Sequence, residues 1–215
     1  MSAPEVTVID YGAGNLLSVQ RGLEYCGAKV TLAADPEKIL LSKRVVLPGV
    51  GAFADAMQAL ENLGLVAAIH KIAERKIPLL GICLGMQLLL EESDEFGVTA
   101  GLSLIPGRVI AVPSNIVSGG KQKIPHIGWS ELQIANATTG WQKTVLQDNA
   151  LGDAAYFVHS FMAVPSNPAH RIADCLYGGH KIAAVIGREQ IVGCQFHPEK
   201  SGKVGLKILH RFIHL

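Results

Sequence analysis

Leu79-Leu80-Gly81-Ile82-Cys83-Leu84-Gly85-Met86-Gln87 carries an apolar run into a cysteine with a glycine two residues to either side, then straight into a helix-forming segment. A strand–turn–helix junction of this kind holds one side chain above the edge of a sheet, because small neighbours let the chain reverse sharply. Working outward, residues 6–9, 29–32, 45–47 and 78–82 read as short aliphatic strands. Residues 16–25, 52–70 (broken at Gly64) and 84–91 read as the helices between them. Strands alternating with helices imply right-handed crossovers and a mostly parallel sheet. After Gly97 the pattern changes. Residues 107–112, 124–134, 154–158, 171–176, 182–186 and 191–196 are strand-like, with few helices between them and a closing helix over 203–214. These predict an antiparallel-rich extension of the same sheet. The expected class is therefore α/β: a central mostly parallel sheet flanked by helices, in a single domain over residues 1–215.

Composition narrows the function. The 215 residues are 49% hydrophobic and 17% charged, enough for one well-filled core. Net charge is +1 and the charges are interspersed, so no basic stripe suits nucleic acid. No apolar run approaches a bilayer span, and the start lacks a basic segment leading into an apolar one, so neither membrane nor signal peptide is expected. Cys26, Cys83, Cys175 and Cys194 have no paired or metal-ligand spacing. That argues against a disulfide framework or zinc site and for a reducing, cytoplasmic setting.

Within that frame, Cys83 has two readings. At such a junction it is a nucleophile, with nearby backbone N–H groups to favour thiolate and hold an oxyanion. It serves equally as a buried strand-end residue. A thiol nucleophile needs a base, and Ile191-Val-Gly-Cys-Gln-Phe196 leads into His197-Pro198-Glu199. Residues two apart in an extended segment share a face, so Glu199 is placed to orient the His197 ring and leave its other nitrogen for a thiol. A solvated turn is the ordinary alternative, and metal ligation lacks a third residue at a convincing spacing. A third segment, Val45-Val-Leu-Pro-Gly49-Val50-Gly51, ends a strand in Pro-Gly-x-Gly and exposes N–H groups suited to an oxyanion, or simply makes a tight turn. The Gly12-x-Gly14 pair after the first strand is not a dinucleotide fingerprint, because Leu17 stands where the third glycine belongs.

Taken together, Gly81-Ile-Cys-Leu-Gly-Met-Gln87 and Gln195-Phe-His-Pro-Glu-Lys200 resemble the class I (triad) glutamine amidotransferases. Within that class, Asp10-Tyr-Gly-Ala-Gly-Asn-Leu16, Pro125-His-Ile-Gly-Trp129 and Tyr156-Phe-Val-His-Ser-Phe161 resemble the glutaminase subunits of imidazole glycerol phosphate synthases of histidine biosynthesis. Ser130 and Phe161 depart from that pattern, where Asn and Tyr are usual.

The resemblance implies Cys83 as nucleophile, His197 as base and Glu199 as its orienter. Gly49, Val50, Gly51 and Leu84 would serve the oxyanion, and Gln87, Glu95, His159 and Ser160 the substrate. It implies no cofactor and no metal. It also implies a (β/α)₈ barrel synthase subunit as partner in a heterodimer, with Asn15, Trp129, Tyr156 and Lys200 on the docking face. By the same resemblance, a peptide in the 48–51 strand is expected to flip its N–H toward the oxyanion only when the partner and its acceptor substrate are bound. A glutaminase for a surface-sugar synthase, and a partner-independent cysteine hydrolase, are the alternatives.

Overall fold

A computed structural model of the chain describes residues 2–135 and 140–215. Its first half runs β1 (Glu5–Ile9), α1 (Leu16–Tyr25), β2 (Lys29–Ala33), α2 (Pro36–Leu40), β3 (Val45–Gly49), α3 (Phe53–Asn62), α4 (Leu65–Glu74), β4 (Leu79–Cys83) and α5 (Leu84–Leu88). Local chemistry explains the boundaries. Gly64 sits at φ 67°, where a side chain is strained, and splits the expected long helix into α3 and α4. Helix α4 buries Leu65, Ala68, Ile69 and Ile72, one stripe at helical spacing. Helix α2 was not anticipated. Asp35 starts it by accepting the Glu37 N–H at 2.9 Å, with Pro36 in the first turn.

The second half continues with β5 (Glu92–Ser93), β6 (Thr99–Ala100), β7 (Gly107–Ala111), β8 (His126–Glu131), β9 (Gln133–Ile134), β10 (Ala154–His159) and β11 (Phe161–Pro165). It ends with β12 (Arg171–Tyr177), β13 (His180–Arg188), β14 (Ile191–Cys194) and α6 (Gly202–Ile213). The central sheet has eight strands in the order β2-β1-β3-β4-β14-β13-β12-β9. From β2 to β14 neighbours are parallel, and beyond β14 they are antiparallel. Side chains alternate between two cores: Val46, Leu80 and Ile82 face α1 and α6, whereas Val45, Leu47 and Leu79 face α3 and α4.

The extension differs from expectation in one respect. Only β9 and β12–β14 join the central sheet. β7 and β11 form a separate four-stranded sheet with β5 and β6, and β8 pairs with β10 alone as a two-stranded ribbon. Strand β10 buries only alternate residues, Ala155, Phe157 and His159, so it suits a ribbon laid over the core rather than a sheet covered on both faces.

This topology assembles the site. Strand β14, late in the chain, lies directly beside β4, with Cys194 opposite Ile82. Cys83 and the residues after Cys194 therefore leave the sheet at the same edge, side by side. A Cβ on Gly205 would overlap the Pro198 carbonyl, so α6 rests against the 3₁₀ turn Pro198–Lys200 that follows His197.

Candidate active site

Cys83 closes β4 at φ 56°, ψ −112°. Holding a non-glycine residue in such a region costs about 1–3 kcal/mol, and the surroundings must impose it. The flanking glycines show how. A Cβ on Gly85 would overlap the Leu47 carbonyl, and one on Gly81 would lie 2.6 Å from the Gly85 carbonyl oxygen. Helix α5 is thereby pressed against β3 and β4, and the sharp turn between β4 and α5 falls on Cys83. Its Sγ lies 3.9 Å from the Val158 carbonyl oxygen and 4.0 Å from Gln195 Nε2.

His197 stands beside it. Its Nδ1 is 2.8 Å from Glu199 Oε1, and the side chains are 4% and 0% exposed. Burial pulls the ring's pKa down, but the interactions with Cys83 and Glu199 outweigh it and hold the pKa at about 9. The ring thus carries its proton through neutral pH. Backbone bonds brace the turn: the His197 N–H donates to the Tyr156 carbonyl at 3.1 Å, the Ser201 hydroxyl to the His197 carbonyl at 2.7 Å, and the Tyr156 N–H to Ser201 Oγ at 2.9 Å.

Both groups open on a cavity of about 270 Å³, also lined by Val50, Gly51, Leu84, Gln87, Glu95, Val158, His159, Ser160 and Phe161. Every expected substrate or oxyanion residue except Gly49 lines it. Gly49 lies behind the wall: a Cβ there would sit 2.6 Å from the Tyr11 hydroxyl and 2.9 Å from the Gly85 nitrogen. Tyr11 donates its hydroxyl proton to the Pro48 carbonyl at 2.9 Å and so grips the segment that carries Val50. Burial, then the neighbouring Cys83 charge, pushes the Tyr11 pKa far up. Gly51 takes φ 105°, while Val50 is half-exposed at ordinary negative φ. Glu95 has one oxygen committed, because Oε2 accepts the Phe53 N–H at 2.8 Å and caps α3.

The residues expected on a docking face lie outside the cavity. Trp129 and Tyr156 are cross-strand partners in the β8–β10 ribbon, ring centroids 5.9 Å apart, and Trp129 is 59% exposed rather than a core residue. Asn15 is half-buried at the start of α1 and Lys200 is exposed just after the triad turn. A larger cavity, about 480 Å³ and lined by Arg171, Arg188 and Leu215 among others, opens where Pro78 and Gln190 begin their strands, at the opposite end from Cys83. It contains neither cysteine nor histidine. A third cavity, about 580 Å³, has Cys26 and His210 in its lining; of the three, the 270 Å³ cavity is the one where a cysteine stands beside a histidine paired with a carboxylate.

Sequence reasoning passed over Gln195, His126 and Tyr11. Gln195 had a signal, a lone amide in the otherwise apolar run 191–196, and the structure buries it completely. Gln195, His126 and Tyr11 all stand in motif segments, but nothing in those segments names their partners.

Residues 7–215 match the family described as glutamine amidotransferase class-I, and the chain belongs to that family. Among its relatives, the imidazole glycerol phosphate synthase subunit HisH 1 of Legionella pneumophila (strain Paris) is 52% identical over 210 residues, covering 98% of this chain and 99% of the relative. The imidazole glycerol phosphate synthase subunit HisH of Geobacter sulfurreducens is 44% identical over 209 residues, 97% of each chain. A crystal structure of a glutamine amidotransferase superposes with TM-score 0.72 at 14% identity, covering 98% and 99% of the two chains, a likeness of fold. Among the described residues no helix is long and apolar enough to cross a membrane.

Proposed function

We propose that the chain is the glutaminase subunit of an imidazole glycerol phosphate synthase, hydrolysing glutamine and passing ammonia to a (β/α)₈ barrel subunit in histidine biosynthesis, in the cytoplasm. The observation that carries the chemistry is Cys83 at a strained strand end, facing a cavity with His197 beside it and Glu199 2.8 Å behind that ring. The high identity to relatives of the same length supports the choice of synthase.

Cys83 Sγ attacks the side-chain amide carbon of glutamine. The tetrahedral oxyanion takes hydrogen bonds from the Leu84 N–H and from an N–H of the 49–51 segment. His197 holds the thiol proton and delivers it to the departing nitrogen; the C–N bond breaks, ammonia leaves, and a γ-glutamyl thioester remains on Sγ. The same ring then takes a proton from water as the oxygen attacks the thioester, releasing glutamate and returning the proton to sulfur. Glu199 keeps Nδ1 protonated and the ring in plane. A flip of a 48–51 peptide on docking would complete the oxyanion site. Glycine at 49 and 51 makes that motion cheap, and the Tyr11 hydroxyl marks where it is restrained.

Ammonia that escapes is protonated by water and lost as a nucleophile, so the cavity must face its consumer. Trp129 and Tyr156 on the ribbon, with Asn15 and Lys200, form the surface we assign to the barrel. The reading of residues 1–215 as one domain is supported by the late strand β14 lying between β4 and β13 in the central sheet.

The test is glutamate release from glutamine by the chain mixed with a histidine-pathway barrel subunit, for wild type and Cys83→Ala. Release that depends on both Cys83 and the barrel is expected. Release that ignores the barrel points to a partner-independent hydrolase, and no release in either sinks the reading.

A further inference from the structure

A line of polar groups, starting at half-buried Ser130 and running through buried His126 and His159, crosses the ribbon and ends at the cavity wall. Ser130 Oγ lies 2.9 Å from His126 Nε2, His126 Nδ1 lies 3.0 Å from His159 Nε2, and His159 Nδ1 lies 2.8 Å from the Phe161 carbonyl oxygen. That same carbonyl accepts from Gln87 Nε2 at 3.0 Å, and Gln87 Nε2 is 3.1 Å from Gln195 Oε1. Gln195 Nε2 then faces Cys83 Sγ. His126 is clamped between Phe157 and Tyr177, with ring centroids 4.9 and 4.1 Å away.

Valence fixes the direction of these bonds. A carbonyl only accepts, so His159 Nδ1 carries hydrogen. If that ring is neutral, its Nε2 accepts and His126 Nδ1 must donate. If His126 is also neutral, its Nε2 accepts and the Ser130 hydroxyl donates. Any other assignment places a cation on one of two rings that are 1% and 6% exposed. Burial holds His126 down at about 4. It does the same for His159, where the Phe161 carbonyl partly opposes it and the charges of His126 and His197 reinforce it. Neutral rings and a one-way chain are therefore the same statement. The Phe161 carbonyl, in turn, orients the Gln87 amide, whose two hydrogens go to that carbonyl and to Gln195. The acceptor Oε1 is left over for the cavity.

We infer that Ser130 and His126, neither of which lines the cavity, are positioning residues for glutamine: a one-way hydrogen-bond chain from Ser130 through His126 to His159 sets the Phe161 carbonyl and the Gln87 amide that the substrate meets. This rests on the glutaminase reading and deepens it. The chain begins one residue from Trp129, on the strand assigned to docking, so the outer face of β8 and the wall of the site are joined by three hydrogen bonds.

The first measurement is a through-hydrogen-bond ¹⁵N–¹⁵N coupling between His126 Nδ1 and His159 Nε2 in the histidine-labelled full chain. The coupling, with both rings in the Nδ1–H form at neutral pH, is expected. An Nε2–H form at either ring overturns the chain. The second measurement is glutamine kinetics with the barrel subunit bound. His126→Leu keeps the packing and removes the donor; leaving a buried acceptor unpaired raises KM about tenfold while kcat changes by less than about threefold. His126→Gln, which restores a donor, recovers most of the loss. Ser130→Ala, which disturbs packing least, raises KM about threefold and keeps the test open if His126→Leu fails to fold. Wild-type KM in both His126→Leu and Ser130→Ala overturns the positioning role alone. Absence of glutamate release by wild type instead sinks the glutaminase reading, while the coupling still reports on the chain.

Discussion

Two walls of one cavity treat the same side chain in opposite ways. On the central-sheet side, His197 is nearly fully buried and holds its proton up to about 9; on the ribbon side, His126 and His159 are as deeply buried and stay neutral down to about 4. Burial disfavours the cation in all three. What differs is the partner: His197 has a carboxylate 2.8 Å away and a thiol beside it, whereas the ribbon rings meet a hydroxyl, each other and a carbonyl. An imidazole is made into an acid–base group by the charge placed beside it, and into a rigid spacer by its absence. The first arrangement suits proton transfer and the second suits holding geometry.

The sharpest way to break this contrast is to remove one ring from each wall. His197→Asn is expected to cut glutamate release at least about a thousandfold, in kcat, as for loss of a catalytic base. His159→Asn should cost about tenfold, chiefly in KM, as for a lost hydrogen bond in a wall. Similar kcat losses for both would erase the distinction. Next in size is Glu199→Gln, which keeps the contact but removes the charge. Release should fall about a hundredfold or more, and the His197 pKa should drop, because one of the groups that raise it is gone.

The pH dependence separates the walls by sign. His197 has a raised folded pKa, so its stabilising contribution is complete below its ordinary value of 6.5 and is lost as pH rises through about 9. His126 and His159 have lowered folded values, so the stability of the neutral pair is present above 6.5 and is lost as pH falls toward about 4. Imidazole NMR titration should show one ring changing near the upper limit and two near the lower. His159 faces His126 and His197, so all three belong in the same experiment. Two rings titrating near 6.5 on the ribbon would mean that the wall is wet and the hydrogen-bond chain broken.

The central-sheet wall was largely legible in the sequence. Cys83 was marked by glycines two residues to either side, and His197 and Glu199 by their spacing and by Pro198 between them. Both junctions are local, so local patterns report them. On the ribbon wall His159 and Ser160 stood in a motif, but the contacts that brace both walls were not legible. His126 meets His159 across 33 positions, Gln87 meets Gln195 across 108, and Tyr11 meets Pro48 across 37. Those meetings depend on which strands pair, and alternation of apolar residues does not encode strand order. For the same reason 154–158 read as another strand of the main sheet, when its single buried face belongs to a two-stranded ribbon. Gly49, expected at the oxyanion, does not line the cavity whereas Val50 and Gly51 do, because a Pro-Gly-x-Gly turn shows that N–H groups are exposed without showing which.

The smallest expected effect lies on the outside of the ribbon. Trp129→Ala removes an exposed ring paired with Tyr156, so the free chain should melt within about 0.5 kcal/mol of wild type. The same substitution should weaken binding of the barrel subunit by about tenfold or more, read by titration calorimetry, if Trp129 anchors the docking face. Unchanged affinity would move that face elsewhere.

The central claim is that glutamine is opened at Cys83 and at no other thiol. The chain has four free cysteines, and burial pushes Cys175 up to about 12 and Cys194 higher still, while Cys26 is raised as well. Mass spectrometry of the barrel complex, quenched in acid during turnover with glutamine, reads the acylated residue directly. A γ-glutamyl adduct on the peptide containing Cys83, absent in Cys83→Ala, is the predicted result. Glutamate release with no adduct at Cys83, or with the adduct on another cysteine, would contradict it.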